Sequence, residues 1–439
     1  MRHPLFRPAI AVAATLALVL VLGLLPSGRV AGAPIQVASA RTLACVAGDP
    51  TTLTTTVLAG SADAFRHRLV GETSLGTTQT FLKAPVGKPM VLSGSASLGG
   101  LSQSTMPTGV YRGLWLAPCR APAGEHWFPG VMSSTSERAA VELTNVDATQ
   151  AVVDVTILGK DGRVTAPGAR GLAVPGNSTR VVYLEPLLTT GDPLGIQVRA
   201  SEGRIAATVR MSSDAGGDWS TGAATPAVTA VVPLVPGGEG ARTLVVTNPG
   251  NRRATVTVEV SDKTSNFAPS GADTFDVNAE STVAIPLEGA LKGAAVGLRL
   301  TSTQPVAAAV RAASDGDIAV IGSGSGLTGT VQMPVVEGAQ LFVTNPGDAV
   351  ATVTLVTRTA EGGVVDTSRT QVEPGRSLPL PLTGDRTATF ELSADRPDVR
   401  GAMWVGRTAT QVGLAVAVLG GGSAGPASYD PTLEPGLSR

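Results

Sequence analysis

The sequence predicts an all-β protein: tandem Ig-like β-sandwich modules that follow an N-terminal hydrophobic helix. Three observations support this prediction. The composition is poor in aromatic residues (3%) and charged residues (15%) and rich in glycine, which favours short strands with small side chains over helices. Apolar residues alternate over short runs, as in strands with one buried face. A sequence motif of one strand and one turn also recurs at intervals of about the length of a domain.

The repeated motif is an apolar strand that ends in Thr-Asn. Its asparagines are separated by 248 − 145 = 103 and 345 − 248 = 97 residues. In the second and third copies the chain continues Pro-Gly, where Pro presets φ and Gly accepts a positive φ. In the first copy Val146 and Asp147 replace Pro-Gly. We therefore interpret the repeated sequence as a turn motif that occurs once in each module. Its residues are Asn145, Asn248, Pro249, Gly250, Asn345, Pro346 and Gly347.

Residues 1–40 predict a signal or membrane-anchor segment. Basic residues come first, and an apolar core from Ala9 to Leu25 follows, 25 − 9 + 1 = 17 residues long. This core spans about 25 Å as a helix, long for a cleaved signal and short for a membrane span, so a cleaved signal and a retained anchor both stay open. In either case the bulk of the chain is expected outside the cell membrane. The predicted localisation is the cell membrane, with the membrane itself as a partner, or secretion.

The cysteines Cys45 and Cys119 predict one disulfide, because an exported chain reaches an oxidising compartment. The disulfide would close a loop of 119 − 45 = 74 residues and remove roughly 4 kcal/mol of denatured-state entropy. We expect residues 41–128 to form a disulfide-containing β region. Attachment of a lipid at Cys45 is disfavoured, because this cysteine lies 45 − 25 = 20 residues beyond the apolar core.

The rest of the chain divides into three predicted β-sandwich modules and a tail. The modules span 129–225, 226–329 and 330–419, and the predicted disordered tail spans 420–439. The second module contains short alternating strands at the spacing of a sandwich. A β-propeller is the alternative, because each repeat can be divided into two four-stranded groups of blade size. The sandwich is favoured, since the two half-repeats do not resemble each other.

The arrangement of Cys45, Trp115, Cys119, Trp127 and the three asparagine turns after a hydrophobic N-terminus resembles an exported family of unknown function from high-GC Gram-positive bacteria. The resemblance extends from Cys45 to about Leu419. It implies an exported protein with tandem β modules. It supplies no activity, substrate or catalytic residue for this chain.

The sequence predicts no catalytic, cofactor-binding or metal site. His67 and His126 are the only histidines beyond the N-terminal segment, fewer than most zinc sites need. Gly324, Gly326 and Gly329 match a dinucleotide-binding pattern formally, but a strand, and not the required helix, is predicted after them.

Two pairs of carboxylates recur at equivalent places in neighbouring modules, Asp214 with Asp218 and Asp315 with Asp317. Calcium prefers six to eight oxygen ligands, which two carboxylates do not supply. We interpret both pairs as residues of turns between strands.

A net charge of −1 without basic runs disfavours nucleic acid as a partner. The leading hypothesis is a non-catalytic, exported or membrane-anchored cell-envelope protein that acts as a scaffold or binds another envelope protein. The alternative is an extracytoplasmic carbohydrate-binding or sensing module. Its candidate binding surface is Trp115, His126 and Trp127, since aromatic faces suit stacking on sugars, although the same residues suit a buried core, which we favour. A hydrolase with an unrecognised carboxylate site at the module junctions is the most distant hypothesis.

Overall fold

The computed structural model describes residues 41–48, 54–109, 111–187, 190–291, 293–314, 316–406 and 413–420. The predicted N-terminal segment and all but the first residue of the predicted tail lie outside the described residues. Across the described ranges, no helix has the length and apolar character needed to span a bilayer. The described residues form one compact unit. The predicted all-β class is confirmed, because the only α-helix described is α1, Glu288–Leu291.

Residues 41–118 form a first pair of four-stranded antiparallel sheets, in the orders β1-β6-β3-β4 and β5-β2-β7-β8. Their facing residues share one small apolar cluster. The strands are β1 Arg41–Cys45, β2 Thr55–Gly60, β3 Phe65–Leu69, β4 Gly76–Thr78, β5 Phe81–Val86, β6 Met90–Gly94, β7 Gly99–Met106 and β8 Gly113–Pro118.

Residues 125–220 form the second pair, in the orders β12-β11-β15-β9, with β13 also on β11, and β14-β10-β16-β17. This pair begins inside the region that the sequence predicted as the disulfide-containing β region. The strands are β9 Glu125–Val131, β10 Glu137–Asn145, β11 Ala151–Gly159, β12 Gly162–Val164, β13 Leu172–Val174, β14 Ser178–Tyr183, β15 Leu194–Glu202, β16 Ala206–Ser213 and β17 Gly216–Ser220.

Residues 227–322 form the third pair, whose two sheets share one long strand. The first part of this strand, β24, pairs with β18 and β20, and its last part pairs with β19 and β25. The strands are β18 Ala227–Val235, β19 Arg242–Asn248, β20 Ala254–Ser261, β21 Asn266–Phe267, β22 Thr274–Val277, β23 Ser281–Pro286, β24 Val296–Ser314 and β25 Asp317–Gly322.

Residues 331–419 form the fourth pair, in the orders β26-β31-β28-β29 and β30-β27-β32-β33. The predicted alternation is clear in β28, where Ala351, Val353 and Leu355 are buried and the threonines between them are half-buried. The strands are β26 Val331–Pro334, β27 Ala339–Asn345, β28 Ala351–Arg358, β29 Val364–Val372, β30 Arg376–Leu380, β31 Thr389–Ala394, β32 Arg400–Val405 and β33 Ala415–Leu419.

The four sheet pairs have the same strand order. In each pair the last strand forms a hairpin with the strand before it and ends a sheet, as β8, β17, β25 and β33 do. The region 41–118 is therefore a further copy of the arrangement found in the other three, although its sequence lacks the Thr-Asn motif.

The four sheet pairs close into a ring. At its axis, β8 contacts β17 and β33, and β25 contacts the same two strands. Around the ring, each core continues into the next pair. The core of the second pair includes Ile318 and Val320 of the third, and the core of the third includes Phe342 of the fourth. The core of the fourth includes Leu101 and Leu114 of the first. A smaller apolar cluster joins the first pair to the second and completes the ring.

Candidate functional site at the ring axis

A single buried carboxylate, that of Asp317, joins all four sheet pairs at the axis. Its Oδ2 accepts hydrogen bonds from the backbone N–H groups of Leu114 at 2.8 Å and Leu414 at 2.9 Å. Its Oδ1 accepts one from the backbone N–H of Ile318 at 2.8 Å, and the backbone N–H of Gly217 also bonds this carboxylate. Each sheet pair thus donates one N–H group to the same side chain.

Glycine makes this convergence sterically feasible. The residue before each of the three other donors is Gly113, Gly216 or Gly413, with φ of 132°, 132° and 139°. A Cβ atom at any of the three would overlap the Asp317 carboxylate. Only glycine adopts this backbone conformation readily and leaves room for the carboxylate. The axis therefore holds three glycines and one aspartate at equivalent positions.

A second buried carboxylate, Asp218, lies on β17 beside the first. Its Oδ2 accepts a hydrogen bond from the backbone N–H of Val320 at 3.1 Å, and its Oδ1 accepts one from Trp219 N at 2.8 Å. Burial raises the pKa of Asp218 well above its usual range, and the nearby Asp317 raises it further. Burial also raises the pKa of Asp317 to about 7, although its N–H donors act in the opposite direction.

The interpretation of these aspartates as turn residues is wrong for Asp218 and Asp317, which lie in strands. Asp214 does lie in a turn, and Asp315 is outside the described residues. The oxygens of Asp218 and Asp317 are occupied by backbone N–H donors, which leaves them poorly suited to a metal or a substrate. Within the described part of the chain, no three His, Cys, Asp or Glu side chains come together as metal ligands.

All three residues of the candidate binding surface are buried. Trp115 is fully buried and packs edge-on against Trp219, with ring centroids 5.3 Å apart. Trp127 is 5% exposed and packs with Leu158 and an alanine of the third pair. These tryptophans therefore do not present a shared exposed face to a sugar.

His126 is also buried. Its Nε2 lies 2.7 Å from the backbone oxygen of Ile205. Burial and, to a smaller extent, the neighbouring Arg120 guanidinium lower the pKa of His126 to about 4. The imidazole is consequently neutral at physiological pH.

A cavity of about 320 Å³, here named the axial cavity, opens between the first, second and fourth sheet pairs. Residues of these three pairs line it, together with Ser325 from the connection between the third and fourth pairs. Its apolar walls include Trp127 of the second pair and Met333 and Val418 of the fourth. Its polar lining residues are Arg41, Arg120, Glu125, His126, Thr225 and Ser325. Sequence reasoning reached His126 and Trp127 but missed both arginines, because no local pattern distinguishes them from other surface arginines.

A second cavity, here named the tyrosine cavity, has a volume of about 350 Å³. Two of the three tyrosines of the chain line it, Tyr111 of the first pair and Tyr183 of the second. Tyr183 is 55% exposed, and Tyr111 contacts the buried Trp115 with ring centroids 6.3 Å apart. The charged lining residues are Arg138, Glu185 and Arg210. Sequence reasoning missed this cavity, because its tyrosines are 72 residues apart, 183 − 111, and belong to different pairs.

A buried ion pair lies beside the tyrosine cavity. Arg210 Nε is 3.5 Å from Glu142 Oε1, on neighbouring strands of the second pair. Burial raises the pKa of Glu142 to about 7, and Arg210 acts in the opposite direction.

Comparison with protein families identifies a match over most of this architecture. The model described as "Family of unknown function (DUF5719)" matches residues 83–383, which is 383 − 83 + 1 = 301 of 439 residues. The chain belongs to the DUF5719 family. The match includes both axial aspartates and the three asparagine turns.

Two solved structures show a distant likeness to this DUF5719 chain. The pilus backbone protein RrgB from Streptococcus pneumoniae is 16% identical, with 49% of this chain and 80% of that chain covered and a TM-score of 0.14. The α-L-rhamnosidase from Streptomyces avermitilis, solved with L-rhamnose, is 8% identical, with 81% and 54% covered and a TM-score of 0.15. These TM-scores are too low to carry an argument. Among curated proteins, none matches the chain.

The three asparagines of the DUF5719 chain are buried and make the same set of bonds. Each side-chain amide donates to the backbone oxygen four residues later, at 2.7 to 2.8 Å, and to the end of a neighbouring strand. Each Oδ1 accepts from the backbone N–H two residues later, at 3.0 Å. With at most 1% of each side chain exposed, the asparagines hold their turns and are not displayed to a ligand.

The predicted disulfide between Cys45 and Cys119 is present. It joins the start of the first sheet pair to the end of its last strand. It also fixes the two chain segments that carry Arg41 and Arg120 into the axial cavity.

Proposed function

We propose that this DUF5719 chain is a non-catalytic cell-envelope scaffold, anchored in the cell membrane or secreted, that binds another envelope protein. The observation that carries the proposal is the set of hydrogen bonds that the Asp317 carboxylate accepts. One carboxylate that accepts an N–H group from each of four sheet pairs fixes the pairs relative to one another. The buried acids at the axis thus serve assembly of a rigid ring, which suits a scaffold better than a hydrolase.

We also propose that each sheet pair is an Ig-like sandwich and not a pair of propeller blades. In the second pair, successive strands alternate between sheets: β9 and β11 lie in one, and β10 and β14 in the other. A propeller blade is built from consecutive neighbouring strands, whereas a sandwich uses such crossings.

The surface best suited to a protein partner is the edge strand β29. Among the described strands it pairs only with β28, so its outer edge presents unpaired backbone groups. Its first four residues are exposed, and Val364 is 57% exposed. An extended segment of a partner would add to this edge by β-strand pairing.

Site-specific cross-linking in cells that carry the full chain tests the scaffold function. A photo-reactive residue replaces Val364 on β29 or, as the control, Val228, an exposed valine on β18. We expect a defined adduct with one envelope protein at position 364 and none at 228. In a second variant, Val365→Asp should abolish the adduct without changing the melting temperature. The same adducts at both positions, or none at either, would contradict the proposal.

A second candidate function, binding of a carbohydrate, is favoured by the tyrosine cavity. An exposed tyrosine, a second tyrosine held by Trp115, and the charged groups of Arg138 and Glu185 combine a stacking surface with hydrogen-bonding groups. The site differs from the surface expected from sequence, yet it is continuous with the same tryptophan cluster through Tyr111.

Affinity electrophoresis in envelope polysaccharide tests this candidate. We expect Tyr183→Ala to lose the retardation shown by the wild-type protein, since the exposed ring supplies the stacking face. Val228→Ala, at a similarly exposed position, is the control. Because Tyr183 is more than half exposed, the melting temperature should not change. Equal retardation of both variants and the wild type would rule out this site.

A further inference from the structure

We propose that the axial cavity binds the anionic group of a small ligand, a carboxylate or a phosphate, through Arg41 and Arg120. This site is separate from the partner surface on β29 and from the tyrosine cavity. It therefore goes beyond the scaffold function and does not depend on it.

Both arginines are held in place by the backbone of the first sheet pair. Arg41 opens β1, the strand that ends at Cys45, and Arg120 directly follows Cys119, to which Cys45 is bonded. The backbone of Arg120 also bonds Ala44 in both directions, at 2.9 and 2.8 Å. The disulfide and these hydrogen bonds position the two guanidinium groups before any ligand arrives, which limits the entropy lost on binding.

The positive charge of these arginines is not balanced by the described residues. Arg41 Nη1 donates to the backbone oxygen of Leu98 at 2.8 Å, but its buried Nε has no partner. Arg120 makes no side-chain hydrogen bond or ion pair with any residue that the structure describes. Burial lowers the pKa of both guanidinium groups, and no described carboxylate offsets that effect. Arg41 and Arg120 are half-buried. A partly buried cation without a counter-charge loses hydration that nothing replaces, so an anion in the cavity would be favoured.

The other polar groups of the cavity do not compete for the arginines. Glu125, the only acid among the described lining residues, is exposed and accepts a hydrogen bond from Gln197. His126 is neutral and is bonded to the backbone. The positive charge of Arg120 also disfavours protonation of His126. An incoming anion therefore meets two cations and no buried carboxylate among the described lining residues.

The size and walls of the cavity restrict the ligand. Its volume of about 320 Å³ lies at the lower end of the range for ligand pockets, roughly 300–1,000 Å³. Trp127, Met333 and Val418 supply apolar surface beside the arginines. These features fit a small organic anion, such as one sugar ring that carries an acidic group, better than a bare inorganic ion.

Calorimetric titration of the full chain tests the site. The probes are D-glucuronate, D-glucose 6-phosphate and D-glucose, which share a ring and differ in charge. We expect at least one of the two anions to bind and glucose to show no binding. Preference for glucuronate would identify the carboxylate as the ligand group, and preference for glucose 6-phosphate would identify the phosphate. Equal binding of glucose, or no binding of either anion up to millimolar concentration, would overturn the proposal.

Variants test the two arginines individually. We expect Arg120→Met and Arg41→Met each to weaken anion binding about 10-fold or more, because a charged hydrogen-bond partner is lost. Arg369→Met, at an exposed position on β29, is the control and should bind like the wild type. Unchanged binding by Arg120→Met would overturn the assignment.

Melting temperatures separate loss of binding from loss of folding. In buffer without multivalent anions, Arg120→Met should melt at the same temperature as the wild type or higher, because an unbalanced charge has been removed. Inorganic phosphate should raise the melting temperature of the wild type and leave that of Arg120→Met unchanged. A variant that melts lower in anion-free buffer would show that Arg120 has a structural partner, against the proposal.

Discussion

The first and third sheet pairs have the same strand order but are stabilised in different ways. The third pair is built around a cluster of 27 buried residues, of which Phe342, Ala402, Leu414 and Val416 belong to the fourth pair, so 27 − 4 = 23 are its own. The cluster of the first pair has nine residues, two of them the disulfide cysteines. Other leucines of the first pair pack into the core of the fourth. A domain with a small core depends on a disulfide for stability more than a domain with a large core does.

Removal of the disulfide should separate the two regions most clearly. We expect the double variant Cys45→Ala, Cys119→Ala to lose roughly 4 kcal/mol of unfolding free energy, because a loop of 74 residues is no longer closed in the denatured state. Denaturant unfolding gives the total loss, and hydrogen exchange locates it. Protection should fall in β1 and β6 and persist in β19 and β24. An equal loss in both regions would contradict the comparison.

Truncation of one buried leucine in each region compares the two cores. Leu298 on β24 and Leu92 on β6 are both fully buried. We expect Leu298→Ala to cost about 3 kcal/mol and Leu92→Ala about 2 kcal/mol, since a smaller cluster closes more easily around the space left. Chemical denaturation of both variants measures the difference. A larger cost at Leu92 would mean that packing, more than the disulfide, stabilises the first pair.

The pH dependence of stability tests Asp317, which links the two regions through Leu114 and β25. Burial raises its folded-state pKa from an ordinary value of 3.8 to about 7. Between these values the folded state binds more protons than the unfolded state, so the unfolding free energy falls as pH rises from about 4 to about 7. We expect this group to contribute a fall of about 2 kcal/mol, less than its full shift implies, because the protein relaxes around a buried charge and lowers the free energy of the ionised form.

Comparison with Asp317→Asn gives the contribution of Asp317 together with its effect on the pKa of Asp218, since the neutral amide does not titrate. Glu142, with its raised pKa, changes stability in the same direction, and His126, with its lowered pKa, changes it in the opposite direction between about pH 4 and 6.5. Glu142 and His126 are present in both proteins, so their effects cancel in the difference between the two unfolding free energies. Urea unfolding at several pH values measures that difference. The same fall in Asp317→Asn as in the wild type would exclude Asp317 as its source.

The smallest effect is expected at the asparagine turn of the third pair. Asn248 donates to the backbone oxygens of Arg252, Val277 and Asn278, and Asn248→Ala leaves these groups without that donor. We expect a loss of about 1 to 2 kcal/mol by chemical denaturation. The first pair has Ser61 after the equivalent strand, and its hydroxyl accepts from Asp63 N at 3.3 Å. Ser61→Ala should cost less than Asn248→Ala, because the hydroxyl corresponds only to the bond that Asn248 Oδ1 accepts from Gly250 N.

The first pair has Ser61 where the other three pairs have an asparagine, which explains why the sequence shows three repeats and not four. Ser61 makes one of the turn hydrogen bonds that Asn248 makes, so the first pair has no Thr-Asn motif. Because its core is small, the alternation of apolar and polar residues along its strands is also weak. The strand alternation, the asparagine turns and the disulfide could be predicted, because each depends on local sequence or on there being two cysteines. Asp317 was placed in a turn for the same reason: its neighbours are glycine and aspartate, residues typical of turns.

An all-β chain with repeated turns and one disulfide could be predicted without the structure. These features follow from side-chain periodicity and turn chemistry over a few residues. The structure was needed to show that the copies close into a ring, that Asp317 bonds Leu114 from 203 residues away, and that Arg41 and Arg120 share a cavity with the fourth pair. The physical reason is that each of these contacts joins different sheet pairs. Their residues carry no periodic signal, and their partners are selected only when the cores pack against one another.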